Sequence, residues 1–183
     1  MPQIPWTQLV EHWPEMVQAL AAIVALFLSV YVPIRIRNLD RRAAAEERLQ
    51  KANALAFFIL PDIFEMYNEA IRGQAFLEVK HQRDSFRRAD VLAQLTISSA
   101  DRLQPVADRL WLFERDCGGA INRAITYSLY FNRKVAEYFS GDDIPLSKLT
   151  SFHSIYGTTL SDTKDTANKA VALLEKRYDL KTR

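Results

Sequence analysis

Glu78-Val-Lys-His81 is the stretch of this sequence whose residue types and spacing come nearest to a metal-binding pattern. Glu-x-x-His sets a carboxylate and an imidazole one helical turn apart, which is half of a carboxylate-bridged di-metal site in a helical bundle. The other half needs a second copy and two further inward glutamates. His153 has threonine three residues before it, so the motif stands alone and a solvated turn pair is expected at Glu78 and His81. His12 borders a strongly apolar run and is expected to pack as a neutral ring. Cys117 precedes Gly118 and Gly119. A helix start there would lower its thiol pKa, yet no acid or histidine stands at a recognisable spacing, and a half-buried structural thiol is the expectation. Asp142–Asp143 could act as paired acids or bind a cation. Between Gly141 and Pro145 they read better as turn and capping residues.

Phosphate-loop, nucleophile-elbow, dinucleotide and zinc-hydrolase signatures are absent from the sequence. The aromatic residues between Tyr127 and Phe139 recur at helical spacings, which suits a core or interface stripe before a cofactor box. No catalytic residue, metal ligand or cofactor is therefore expected, and the chain reads as non-enzymatic.

The element that organises the rest is residues 16–34, MVQALAAIVALFLSVYVPI, bounded by Glu15 and Arg35 and free of charged side chains. As a helix rising ~1.5 Å per residue it measures about 28 Å, close to the ~30 Å hydrocarbon core of a bilayer. It is apolar all round, whereas a helix packed in a soluble core keeps a polar stripe. Trp6 and Trp13 precede it and Tyr31 lies near its far end, where amphipathic rings suit the headgroup level. A cleaved signal peptide is disfavoured, because no basic residue precedes the run and no Ala-x-Ala site closes it. Within the run, Ala21, Ala25 and Ser29 recur every four residues, a small-residue stripe that would let another helix approach.

Charge sets the expected orientation. The first 34 residues carry Glu11 and Glu15 and no basic side chain, whereas residues 35–51 carry Arg35, Arg37, Arg41, Arg42, Arg48 and Lys51 against three acids. The positive-inside bias then places the short N-terminus outside and the long C-terminal part in the cytoplasm of a single-pass protein of the cell inner membrane. The lone cysteine agrees, since it cannot form an intrachain disulfide. Arg35, Arg37, Arg41 and Arg42 would meet anionic headgroups, at ~1 kcal/mol per basic residue near the surface. The rest of the chain holds 18 basic and 17 acidic residues. So balanced a surface is a poor match for nucleic acid, which demands many phosphate contacts.

Beyond the span the chain reads as helix almost throughout. Leu49, Ala52, Ala56, Ile59, Ile63, Met66 and Ala70 share one face by their three-and-four spacing, a stripe that runs past Pro61. The repeated ADRL at residues 100–103 and 107–110 is interrupted by Pro105, so a break is expected there. Gly118–Gly119 reads as a hinge ahead of a helix over about 119–140. GDDIP closes that helix, and Pro145 suits the first turn of the next. Leu149, His153, Tyr156, Leu160, Thr163, Ala167, Ala170 and Leu174 form a coiled-coil-like seam. A continuous helix is expected through Gly157, with a restart at a Thr159–Asp162 capping box as the fallback. No strand pattern is evident.

The expected fold class is thus all-α: a single N-terminal transmembrane helix continuing into a cytoplasmic antiparallel four- or five-helix bundle. The divisions are 1–13 extracytoplasmic and interfacial, 14–34 transmembrane, 35–60 a basic juxtamembrane stalk and 61–183 the bundle. In layout the chain resembles small bacterial inner-membrane proteins with one N-terminal span, a basic exit and a helical cytoplasmic part, a likeness that implies no activity. The partners expected are the lipid bilayer and another protein or a second copy. The function expected is a membrane-tethered adaptor, scaffold or regulatory subunit. The alternative is a membrane-acting effector or accessory protein, of toxin or antiviral type, that oligomerises through Ala21, Ala25 and Ser29.

Overall fold

The computed structural model describes residues 13–78 and 84–178. Over these residues the chain is helical apart from two strands of three residues each and short connecting turns. It divides into two compact units, Met1–Arg48 and Leu49–Arg183.

Helix α1 (Trp13–Glu78) runs through both units without interruption at Pro33 or Pro61. In the first unit every described residue is exposed. The apolar stretch there is long and apolar enough to cross a membrane, and none of its 18-residue window is buried. In the second unit α1 turns Ala52, Ala56, Ile59, Ile63, Met66 and Ala70 into the core, the stripe read from their spacing. Leu49 begins that stripe in sequence yet is 56% exposed. A proline inside a helix costs ~3 kcal/mol, whereas burying a large aliphatic side chain contributes ~1.5–3 kcal/mol. Ile59, Ile63 and Met66, all fully buried around Pro61, outweigh the lost hydrogen bond.

Strand β1 (Ser85–Arg87) follows, then α2 (Arg88–Leu95), α3 (Ser99–Leu103), a 3-10 segment (Gln104–Leu112), α4 (Arg115–Tyr138), strand β2 (Asp143–Pro145) and α5 (Leu146–Tyr178). The two strands pair antiparallel, with Ser85 opposite Pro145, Phe86 opposite Ile144 and Arg87 opposite Asp143. The ladder extends through Arg88 N–H to the Asp142 carbonyl at 2.8 Å and Leu146 N–H to the Asp84 carbonyl at 2.9 Å. This ribbon corrects the expectation of no strands. Three-residue strands joined across a long separation carry too little alternation to register in sequence. It also places Pro145 at the end of a strand, where the missing N–H costs no ladder bond of a central strand.

Helices α4 and α5 lie antiparallel, as their end-to-end contacts require. Glu114, preceding α4, pairs with Arg177 at the close of α5. At the opposite end Tyr138 meets Phe152 with ring centroids 5.3 Å apart. Between them Phe131 packs edge-on against Phe152 at 5.7 Å, and Phe139 lies 4.8 Å from the same ring. The seam along α5 buries Leu149, Leu160, Thr163, Ala167, Ala170 and Leu174, with His153 and Tyr156 partly covered. The helix continues through Gly157 without a restart. Thr159 and Asp162 lie inside this unbroken helix, so no capping box starts there, and Thr163 donates its hydroxyl to the Thr159 carbonyl at 2.9 Å.

Two glycines have roles that differ from a simple hinge. The pair at 118 and 119 lies inside the first turns of α4, which begins at Arg115 rather than near 119. A β-carbon on Gly118 would sit 2.7 Å from the Leu110 carbonyl oxygen. Glycine is required there because α4 meets the 3-10 segment at backbone distance. Gly141, at φ +96°, makes the left-handed turn that takes the chain from α4 into β2.

Candidate functional site

Each chemistry-bearing residue that the structure describes has a structural assignment. Glu78 ends α1 and accepts a hydrogen bond from Gln74 Nε2 at 2.7 Å. His81, His12 and Trp6 lie outside the described residues. Among the described residues no three of His, Cys, Asp and Glu gather as metal ligands would. Cys117 is fully buried in the first turn of α4, not half-buried. Burial pushes its thiol up to about 11, in the direction opposite to activation by a helix dipole. Asp142 contributes its carbonyl to the ribbon, and Asp143 stands opposite Arg87 within it. The His153 ring lies against Gly157, where a β-carbon would come within 2.7 Å of Cδ2.

The residues that the sequence assigns to a membrane interface, Trp6 apart, lie in the exposed part of α1. Trp13 is exposed at its start. Tyr31 stacks on Phe27 with centroids 5.5 Å apart. Arg35 donates to the Tyr31 hydroxyl at 3.0 Å and its guanidinium lies 6.0 Å from the ring centroid. The tyrosine and arginine thus form one amphipathic unit at the end of the apolar run. Arg37, Arg41 and Arg42 are exposed on the turns that follow, as are Ala21, Ala25 and Ser29 within the run. Ser29 returns its hydroxyl to the Leu26 carbonyl at 2.7 Å, so it carries no unsatisfied donor into an apolar surrounding.

Two polar anchors in the second unit had not been singled out. Glu69 is 5% exposed on the inner side of α1. Its carboxylate accepts from Ser98 N–H at 3.2 Å and Oγ at 2.5 Å, and from Ser99 N–H at 3.1 Å and Oγ at 2.5 Å. One side chain of α1 thereby satisfies the donors at the start of α3, which no local side chain caps. Asn132 holds the preceding residue in the same manner. Its Oδ1 accepts from Ile97 N–H at 2.8 Å, and its Nδ2 donates to the Ile97 carbonyl at 3.0 Å. An acid beside Met66 and Ala70 on an otherwise apolar stripe, with a Ser-Ser pair elsewhere, was the available signal for the first.

The 3-10 segment that follows α3 contributes to an exposed surface of the unit. Lys51, Ala54, Leu55 and Phe58 on one face of α1, with Arg109, Trp111 and Leu112 of the 3-10 segment, line an open cleft of about 630 Å³. Phe58 is 70% and Trp111 66% exposed, while the neighbouring Leu110 and Phe113 are buried. Large aromatic side chains in an open cleft between two basic residues are the composition of a binding surface rather than of a solvated face.

Comparison with protein-family models, with curated proteins and with solved structures finds no match.

Proposed function

We propose that this chain is a single-pass inner-membrane protein whose C-terminal part, in the cytoplasm, acts without catalysis as an adaptor, scaffold or regulatory subunit. In this reading residues 14–34 cross the bilayer, Arg35, Arg37, Arg41 and Arg42 hold the cytoplasmic end, and the second unit is an antiparallel helical bundle. The exposed, wholly apolar stretch of α1 supports the membrane placement. The cleft between Phe58 and Trp111 carries the functional reading. Its lining is largely apolar and includes Lys51 and Arg109, which suits an amphipathic segment of a partner protein with an apolar anchor and acidic flanks.

A photo-crosslinking residue in place of Phe58, in the full-length chain in native membranes, tests this reading. The expected product is a discrete protein adduct that disappears with Trp111→Asp, while the helical content of the chain is unchanged. Adducts with lipid alone would refute it. Protease applied outside intact spheroplasts is expected to leave the second unit uncut.

A further inference from the structure

The exposed part of α1 holds a second pattern besides its hydropathy. Ala25, Ser29, Val32, Ile36, Leu39 and Ala43 follow one another at spacings of four and three, the repeat of a two-stranded coiled coil. The helix is continuous over all of them and each is exposed. Glu46, at the next position of the repeat, ends the apolar seam.

The residues flanking the seam carry opposite charges on its two sides. With Ser29, Ile36 and Ala43 at position a, Arg35 and Arg42 fall at g, while Asp40 and Glu47 fall at e. In a parallel, in-register pair, a g side chain faces the e side chain five residues further along its partner. Arg35 then faces Asp40 of the second copy, and Arg42 faces Glu47, twice each by symmetry. An antiparallel pair would instead set arginine against arginine and acid against acid, which disfavours it.

We propose that α1 binds a second copy of this chain along this seam, forming a parallel two-stranded coiled coil over residues 29–43 secured by Arg35–Asp40 and Arg42–Glu47 pairs between copies. Two chains inserted with the same topology are already parallel, so the inference rests on the membrane reading for its alignment but on the charge pattern for its face. Tyr31 and Arg41 fall outside the seam, so the Tyr31 ring stays available to the headgroup level while Leu39 and Ile36 are covered.

The test is oxidative disulfide crosslinking of full-length chains in native membranes. Cysteine replaces Ile36 or Leu39 on the seam, or Arg41 on the far face, and the parent chain with its buried Cys117 serves as background. Covalent dimer is expected from Ile36→Cys and Leu39→Cys and only at background level from Arg41→Cys. Arg42→Glu in the Leu39→Cys chain reverses two pairs and is expected to lower the dimer yield roughly tenfold. Adding Glu47→Lys restores the pairs with their signs exchanged and is expected to restore the yield. Equal crosslinking around the helix, or a charge reversal without effect, overturns the proposal. Alkaline carbonate extraction of the same samples separates the two readings. Chains that stay in the membrane yet show no preferred face defeat the seam alone, whereas extractable chains that crosslink at Ile36 and Leu39 defeat the span alone.

Discussion

Glu69→Gln is expected to be among the most damaging single-atom changes available to the second unit. The native carboxylate presents two oxygens to four donors on Ser98 and Ser99 and is nearly enclosed. The amide keeps one oxygen and turns an N–H group toward donors that then lack an acceptor. A hydrogen bond to a charged group contributes ~1.5–3 kcal/mol net, so losing the two at one oxygen costs roughly 3–6 kcal/mol. That is a large share of the ~5–15 kcal/mol typical of a whole domain. Urea unfolding of the full-length chain in detergent, followed by far-ultraviolet circular dichroism, measures it, with a Tm decrease on the order of 10–20 °C as a second readout. Ser98→Ala with Ser99→Ala should cost less than Glu69→Gln, since the two backbone N–H bonds survive. Combining all three should fall short of additivity, because the groups share one site. A loss below about 1 kcal/mol for Glu69→Gln would refute the account of α1 as the cap of α3.

The two adjacent glycines of α4 should respond oppositely to alanine. Gly118→Ala forces the Leu110 carbonyl away and is expected to cost ~1–3 kcal/mol, whereas Gly119→Ala, with open space around it, is expected to be neutral or stabilising by up to ~1 kcal/mol, both read by urea midpoint. Cys117 should resist thiol reagents at pH 8 in the folded chain and react at once in denaturant. Because its thiol is raised from 9.0 to about 11, its contribution to stability is complete below pH 9 and is lost as pH climbs toward 11. Melting curves of the parent and Cys117→Ala chains across that window are expected to converge as the pH rises.

The long helices were legible because a helix packed on one side writes its burial into the sequence. The stripe from Ala52 to Ala70 and the seam from Leu149 to Leu174 are repetitive enough to survive a proline at 61 and a glycine at 157. The ribbon was not legible, since Phe86 and Ile144 are each a single inward residue on their strand. The start of α4 was misplaced because glycine signals both freedom and proximity. Only the carbonyl of Leu110, which the linear sequence does not bring near, distinguishes the two. The same limit hid Glu69 and Asn132, whose partners are distant main-chain groups and, for Glu69, the hydroxyls of Ser98 and Ser99 as well. The contact of Tyr31 with Arg35 lies four residues apart on one helix and so was within reach of the sequence. The cleft required Phe58 and Trp111, far apart in the sequence, to line one surface.

Helix α1 is synthesised before every element that covers it. The inward stripe of Ala52, Ile59, Ile63 and Met66 leaves the ribosome first, and the residues that shield it, 84–178, follow. At roughly 5–20 residues per second that interval lasts on the order of 5–20 s. During this time the nascent chain presents bare aliphatic surface just behind a stretch suited to membrane insertion. Translation speed and chaperone supply should therefore govern how much of this protein matures, with slow codons after residue 78 lowering the yield of folded chain.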